Sequence, residues 1–240
     1  MNYYFITGTS RGIGKALADE LLQNKDNFVY GISRSKTIDK DNYFHYLIDL
    51  SGVNKVKNFK FFDLEKPDSI TLINNSASIG EIIHVGKATQ EEIINNYNIN
   101  IVSPALLINS FLKKYQSSKC RRIIMNISSG AAKSPVESWS TYCASKSALA
   151  MLSEVVDLEQ KLNHPADPVF IFSVAPGIVD TQAQRIIRST PSENFSKVNR
   201  FIEFKDNNEL SDPKDVAKKL LLILNSPENF RNVALDVRNF

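Results

Sequence analysis

A doubly wound α/β domain built around a parallel sheet is the fold this sequence predicts, and three observations predict it. Short, nearly continuous apolar runs recur along the chain, as strands covered on both faces must. Amphipathic stretches with helical spacing separate them. No linker, internal repeat or low-complexity stretch breaks the alternation, so the reading is a single domain. In such sheets ligands bind beyond the carboxyl ends of the strands.

The first run, Tyr3-Tyr4-Phe5-Ile6, ends at Thr7-Gly8 and passes into Gly8-Thr9-Ser10-Arg11-Gly12-Ile13-Gly14. Ile13, Leu17 and Leu21 then fall on one stripe of a helix. Asn27 to Ile32 reads as a second strand stopping at Ser33-Arg34-Ser35, and Phe44 to Ile48 as a third ending at Asp49. A modest helix is expected over Asn54 to Phe62, and Ile70 to Ile73 is a fourth strand leading into Asn74-Asn75. Thr89-Gln90-Glu91-Glu92 supplies a capping hydroxyl and first-turn acids. The helix it opens is expected to run to about Lys114, bent or interrupted near Pro104. Ile123 to Ile127 is a fifth strand, and a helix with Leu149, Leu152 and Val156 at helical spacing follows. Pro168 to Val174 is a sixth strand, closed by Ala175-Pro176-Gly177. Thr181 to Leu210 reads as polar and irregular, with Ile186, Ile187, Phe195, Phe201, Ile202 and Phe204 scattered through it. Pro213 to Leu224 is a final amphipathic helix and Val233 to Val237 a last strand, which makes about seven strands.

Composition narrows the class of partner. A net charge of +3 over 240 residues argues against nucleic acid or an anionic membrane surface. No run approaches the roughly 18 apolar residues that a membrane span needs. The first strand begins almost at Met1, leaving no room for a signal peptide. Cys120 and Cys143 have no metal or redox spacing, so a reducing cytoplasm is the default location. His45, His84 and His164 are scattered, and no metal is expected.

The chemistry-bearing residues gather at the predicted strand ends. Gly8, Gly12 and Gly14 stand at a strand-to-helix turn, where glycine lets backbone approach a pyrophosphate resting on the helix N-terminus. Ser10 and Ile13 share that turn. The end of the second strand, where an acid would hold an unphosphorylated ribose, carries Arg34, and Arg11 sits inside the glycine turn. Two guanidiniums suit a 2′-phosphate, so NADP is expected over NAD; the structural alternative is a pair of solvated arginines. Asp49 can accept from an adenine amino group or simply shape a turn. Asn74 and Asn75 can order the cofactor or brace the end of their strand.

Tyr142 and Lys146 lie four residues apart, hence on one helix face. Ser129, thirteen residues before the tyrosine, follows a buried strand. A free phenol has a pKa of about 10, so proton exchange near neutrality needs its anion stabilised, and an ammonium one turn away can do that. A Tyr-x3-Lys pair alone is usually a surface pair; with the upstream serine and the glycine turn it outlines a proton-transfer site. Asn100 lies mid-helix, where propensity favours it little and an interior task such as holding a water accounts for it.

These motifs resemble the short-chain dehydrogenase/reductase superfamily in its compact, single-domain branch. The matching pieces are Thr7 to Gly14, Asn74-Asn75-Ser76-Ala77, Asn100, Ser129, Tyr142-x3-Lys146 and Pro176-Gly177, in the expected order. One departure is Asn-Asn-Ser-Ala where the family usually has Asn-Asn-Ala-Gly. The resemblance implies one Rossmann-type NAD(P)-binding domain over residues 1–240 with a substrate lid at about 181–210. It implies Tyr142 as acid/base, Ser129 as donor to the substrate oxygen, Lys146 on the nicotinamide ribose and Asn100 behind a proton-relay water. Pro176, Gly177, Ile178 and Thr181 would flank the nicotinamide, and a homodimer or homotetramer would form through the helices carrying Asn100 and Tyr142. Within the superfamily the chain is similar to the benzil-reductase and sepiapterin-reductase groups. The expectation is therefore NADPH-dependent reduction of a small carbonyl compound, diketone-like rather than pterin. A dinucleotide-binding redox sensor is the non-catalytic alternative, and such proteins commonly lose the tyrosine or lysine retained here.

Overall fold

The computed structural model describes residues 1–240. Seven parallel strands form one sheet: β1 (Asn2–Thr7), β2 (Asn27–Ser33), β3 (Tyr43–Leu47), β4 (Ser69–Asn74), β5 (Arg121–Ile127), β6 (Phe170–Ala175) and β7 (Ala234–Asp236). Their order across the sheet is β3-β2-β1-β4-β5-β6-β7. The order reverses between β1 and β4, the crevice where ligands bind in such sheets. Registers such as Thr7 with Ile32, Asn74 with Asn126 and Ile127 with Val174 bring the carboxyl ends to one level.

Eight α-helices cover the faces: α1 (Gly12–Leu21), α2 (Val53–Asn58), α3 (Gln90–Tyr97), α4 (Ser103–Tyr115), α5 (Ser140–Asn163), α6 (Gln182–Arg188), α7 (Val198–Asp206) and α8 (Pro213–Asn225). The continuous apolar strands are explained by the two cores they separate. On one face Ile6, Ile73 and Met125 meet Leu17 and Leu21 of α1 and Leu220 and Ile223 of α8. On the other, Phe5 and Leu72 meet Leu107, Ile108 and Phe111 of α4. Phe5 is fully buried there, stacked on Tyr30 at 5.0 Å and edge-on to Phe61 at 4.9 Å. Each such aromatic pair adds about 0.5–1.5 kcal/mol beyond burial.

Several boundaries depart from expectation. The helix expected over Asn54 to Phe62 stops at Asn58, because Phe59 and Phe61 leave it to enter the aromatic core. Thr89 caps α3, its hydroxyl accepting from Glu92 N at 3.2 Å, as the sequence predicts. The interruption before Pro104 is a wide π turn over Asn98–Val102, which absorbs the proline at the first turn of α4. The polar segment 181–210 is not irregular. It folds into α6 and α7, because Ile187, Phe195 and Val198 bury a small third core against Trp139 and Ile79. No helix is long and apolar enough to cross a membrane.

Candidate active site

A cleft of about 500 Å³ opens over the carboxyl ends of β1, β4, β5 and β6. That volume lies within the range of small-molecule and cofactor sites. Its floor begins at the glycine turn, where Gly8 (φ +77°) and Gly12 (φ +59°) adopt left-handed backbone that a side chain would strain. Gly14 is needed for a different reason. A Cβ there would stand 2.4 Å from Gly8 O and 2.3 Å from Asn75 Nδ2, so α1 could not seat against the turn.

The first turn of α1 contains no acid, and the side chain of Arg11 does not cap it. Its N–H groups are therefore left for an anion. Arg11 and Arg34 both line the cleft, along with Ser10 and Ile13. The paired arginines of the chain are Arg122, Arg188 and Arg238, so Arg11 and Arg34 have no ion-pair partner. Asp49 lies beside them, its Oδ1 accepting from Ser51 N at 3.0 Å and Ser51 Oγ at 2.9 Å. Burial works to raise its carboxyl, but Ser51, Arg34 and Lys55 together hold it below its ordinary value. It is thus a turn residue with a second oxygen to spare. Backbone, helix terminus and guanidiniums together fit a dinucleotide phosphate.

Of the two asparagines ending β4, Asn74 donates to Asn126 Oδ1 at 2.8 Å, and Asn126 in turn to Ser153 Oγ at 2.8 Å. Asn75 lines the cleft but its Nδ2 donates to Thr7 O at 2.9 Å, and its N–H, like that of Ser76, donates to Thr7 Oγ1. Both brace the strand ends. Ala77, where the family usually has glycine, keeps a negative φ, so glycine is not needed there. Ser76 instead fills the space above Gly8, its Oγ 2.8 Å from where a Cβ of residue 8 would be.

Across the cleft the residues expected to exchange a proton converge. Ser129 follows β5, and Tyr142 and Lys146 face the cleft from the first two turns of α5. Burial pushes the Tyr142 phenol up, and the Ser129 hydroxyl works in the opposite direction. Lys146 is only 1% exposed; its Nζ donates to Ile127 O at 2.7 Å and lies 5.9 Å from the centre of the Tyr142 ring. Burial pushes this ammonium down to about 8. Pro176, Gly177, Ile178 and Thr181 line the same cleft, Thr181 as the N-cap residue of α6.

Two expected site residues do not line the cleft. Gly14 sits behind the turn, as described. Asn100 is fully buried in the π turn, with Oδ1 accepting from Ser78 N at 2.9 Å and Nδ2 directed at Ser78 O, Asn96 Oδ1 and Ser145 Oγ. Its side chain ties the 76–80 loop and the π turn to α5, and Oδ1, with one donor, keeps a lone pair to spare. Residues that sequence reasoning missed also line the cleft: Ser78, Ile79, Val136, Trp139, Gln184 and Arg238. The signal for Trp139 was its place three residues before Tyr142; nothing local marks the others.

The model for short chain dehydrogenases matches residues 2–192. The chain belongs to the short-chain dehydrogenase family. Members of this family bind a nicotinamide cofactor and act on small molecules, so the chain is an oxidoreductase enzyme. Over its whole length it is 33% identical to the whole of a benzil reductase, (S)-benzoin forming, from Bacillus subtilis (strain 168). It is also 36% identical to a benzil reductase of the same description from Bacillus cereus, covering 95% of this chain and 96% of that one. A solved short chain dehydrogenase/reductase from Saccharomyces cerevisiae superposes with a TM-score of 0.82 at 25% identity, covering 99% of this chain and 96% of that one. Carbonyl reduction is the activity these relatives support.

Proposed function

We propose that this short-chain dehydrogenase is an NADPH-dependent reductase of ketones, diketones in particular, with Tyr142 as the proton donor. The observation that carries the reading is the buried Lys146 ammonium one turn from Tyr142 on the wall of a cleft whose opposite end holds Arg11 and Arg34. When bound, the reduced nicotinamide supplies the hydride. Ser129 donates a hydrogen bond to the substrate carbonyl oxygen and fixes it beside the phenol. With burial raising its pKa, Tyr142 keeps its proton at neutral pH and can give it to that oxygen. Lys146, still mostly charged at pH 7, stabilises the phenolate left behind. Arg11 and Arg34 favour a 2′-phosphate, and Asp49 keeps one oxygen for the adenine.

Sepiapterin reductases, which the sequence resembles, hold their pterin through a carboxylate near the C-terminus; here Asp236 is paired with its own neighbour, Oδ1 accepting from Arg238 N and Nε and Oδ2 from Nη2, which supports a diketone over a pterin. An apolar stripe of exposed Met151, Val155, Leu158 and Leu162 on α5 supports pairing of copies through α4 and α5. Free Cys120 and Cys143 support a reducing cytoplasm.

The test is NADPH oxidation by wild type and Tyr142→Phe with 1,2-diketones, aldehydes, quinones and pterins. Wild type is expected to reduce the diketones, and Tyr142→Phe to bind NADPH normally with at least about 100-fold slower turnover. Comparable turnover by the variant would sink the mechanism.

A further inference from the structure

Arg238 lines the cleft at the opposite end from the arginines expected to hold phosphate. Arg34 follows β2 and Arg238 follows β7, five positions apart in the sheet. At about 4.8 Å per strand, that separation is about 24 Å. The phosphates of a dinucleotide belong to its adenosine half and its centre, and its reduced nicotinamide is uncharged. An anion held at Arg238 therefore belongs to the substrate.

The chain around Arg238 is fixed. Val237 is buried in the core against α8, Lys219 donates to Val237 O at 2.7 Å, and Phe240 packs edge-on to Phe230 at 5.4 Å. Asp236 fixes the guanidinium in turn, accepting from Nε at 2.9 Å and from Nη2. A guanidinium presents two forks, Nε with Nη2 and Nη1 with Nη2. Asp236 fills the first. Nη1 makes no hydrogen bond, so the second fork is open.

The stem leans from β7 toward the reacting end. Its Cγ and Cδ lie 3.5 and 3.6 Å from where a Cβ of Gly177 would stand, beyond the end of β6. Ser129 follows β5, one strand spacing of about 5 Å further along. Asp236 does not cancel the positive charge here. Hydrogen bonds from Arg238, opposed by burial, and the charges of Arg238 and Lys133 hold its carboxyl below its ordinary value, so two cations share one acid. A fork already oriented by its neighbour costs a ligand less ordering than a free surface side chain.

We propose that the open fork of Arg238 is a carboxylate subsite, and that the cleft takes oxo acids, with the ketone at Ser129 and Tyr142 and the carboxylate a few bonds away on Arg238. This rests on the reductase reading given above and extends it to a charged substrate class.

The test uses NADPH oxidation with benzoylformate and with 4-oxo-4-phenylbutanoate, which adds an ethylene spacer, each beside its methyl ester. Comparing variant with wild type on every substrate cancels the intrinsic reactivities of acid and ester. The double variant Asp236→Asn with Arg238→Gln removes both charges and leaves the net charge unchanged. It is expected to lose about 10-fold in kcat/KM on at least one acid, through KM, and less than about 3-fold on the esters. Arg238→Lys, which keeps the charge without the fork, is expected to retain only part of the acid activity. Equal losses on acids and esters, acid activity retained by the double variant, or full acid activity in Arg238→Lys overturns the subsite. Wild type that reduces the esters but neither acid overturns it while leaving the reductase reading intact. Turnover of no substrate by wild type overturns both.

Discussion

Replacing Lys146 by methionine should abolish turnover and make the protein more stable. The ammonium is fully buried without a carboxylate partner, and burial moves its pKa from 10.5 to about 8. That displacement corresponds to about 3 kcal/mol disfavouring the charged form in the folded chain. The methionine keeps most of the stem's apolar contact but gives up the hydrogen bond to Ile127 O, a loss of about 1 kcal/mol. The net gain of about 2 kcal/mol at pH 7 raises Tm by about 4–8 °C in a chain of this size. The sign of the pH dependence is a second check. The folded chain gives up this proton first, so between about 8 and 10.5 the unfolded wild-type chain binds more protons and wild-type stability rises with pH. The advantage of Lys146→Met should therefore be full below pH 8 and shrink above it. Thermal unfolding of both proteins at pH 7 and pH 9.5 measures it. A variant less stable than wild type at pH 7, or an advantage that does not change with pH, would refute the idea that the lysine is held at a cost for function.

Arg34→Ala should weaken NADPH by at least about 10-fold while changing NADH less than about 2-fold, since a charge-assisted bond to phosphate contributes about 1.5–3 kcal/mol; titration of both cofactors decides it. Gly14→Ala should lower Tm and cost most cofactor affinity, because the added Cβ meets backbone at Gly8 and cannot be accommodated by rotating a side chain; unchanged Tm and affinity would contradict the contact. Glu137→Ala releases the Ser196 and His84 contacts that hold the segment before α7 against the Trp139 loop. It should raise KM for the carbonyl several-fold with little change in kcat, and a fall in kcat at constant KM would mean that Glu137 serves the chemistry and not the lid.

The pieces legible in the sequence were those set by local rules. Thr89 caps a helix because a hydroxyl before acids needs only its own first turn. Tyr142 and Lys146 share a face because helical spacing alone puts them there. The glycine turn required left-handed backbone at Gly8 and Gly12, and glycine was present. Expectations faltered where distant partners decide. Phe59 and Phe61 follow a polar helical stretch but end α2, because Tyr46 packs on Phe59 and Phe5 and Phe111 on Phe61 in one aromatic core. The apolar residues of 181–210 looked scattered because their partner, Trp139, lies about fifty to sixty residues upstream.

By itself, then, the sequence determined the strand-helix alternation, the approximate number of strands and the shared helix face of Tyr142 and Lys146, since each depends on spacing within a turn or a strand. Only the tertiary structure decided what those residues experience. It buried Lys146 until its charge became costly, turned the side chains of Asn75 and Asn100 into braces, and left the indole of Trp139 without an acceptor. Desolvation and hydrogen-bond satisfaction are properties of surroundings assembled from distant segments, and no local pattern encodes them.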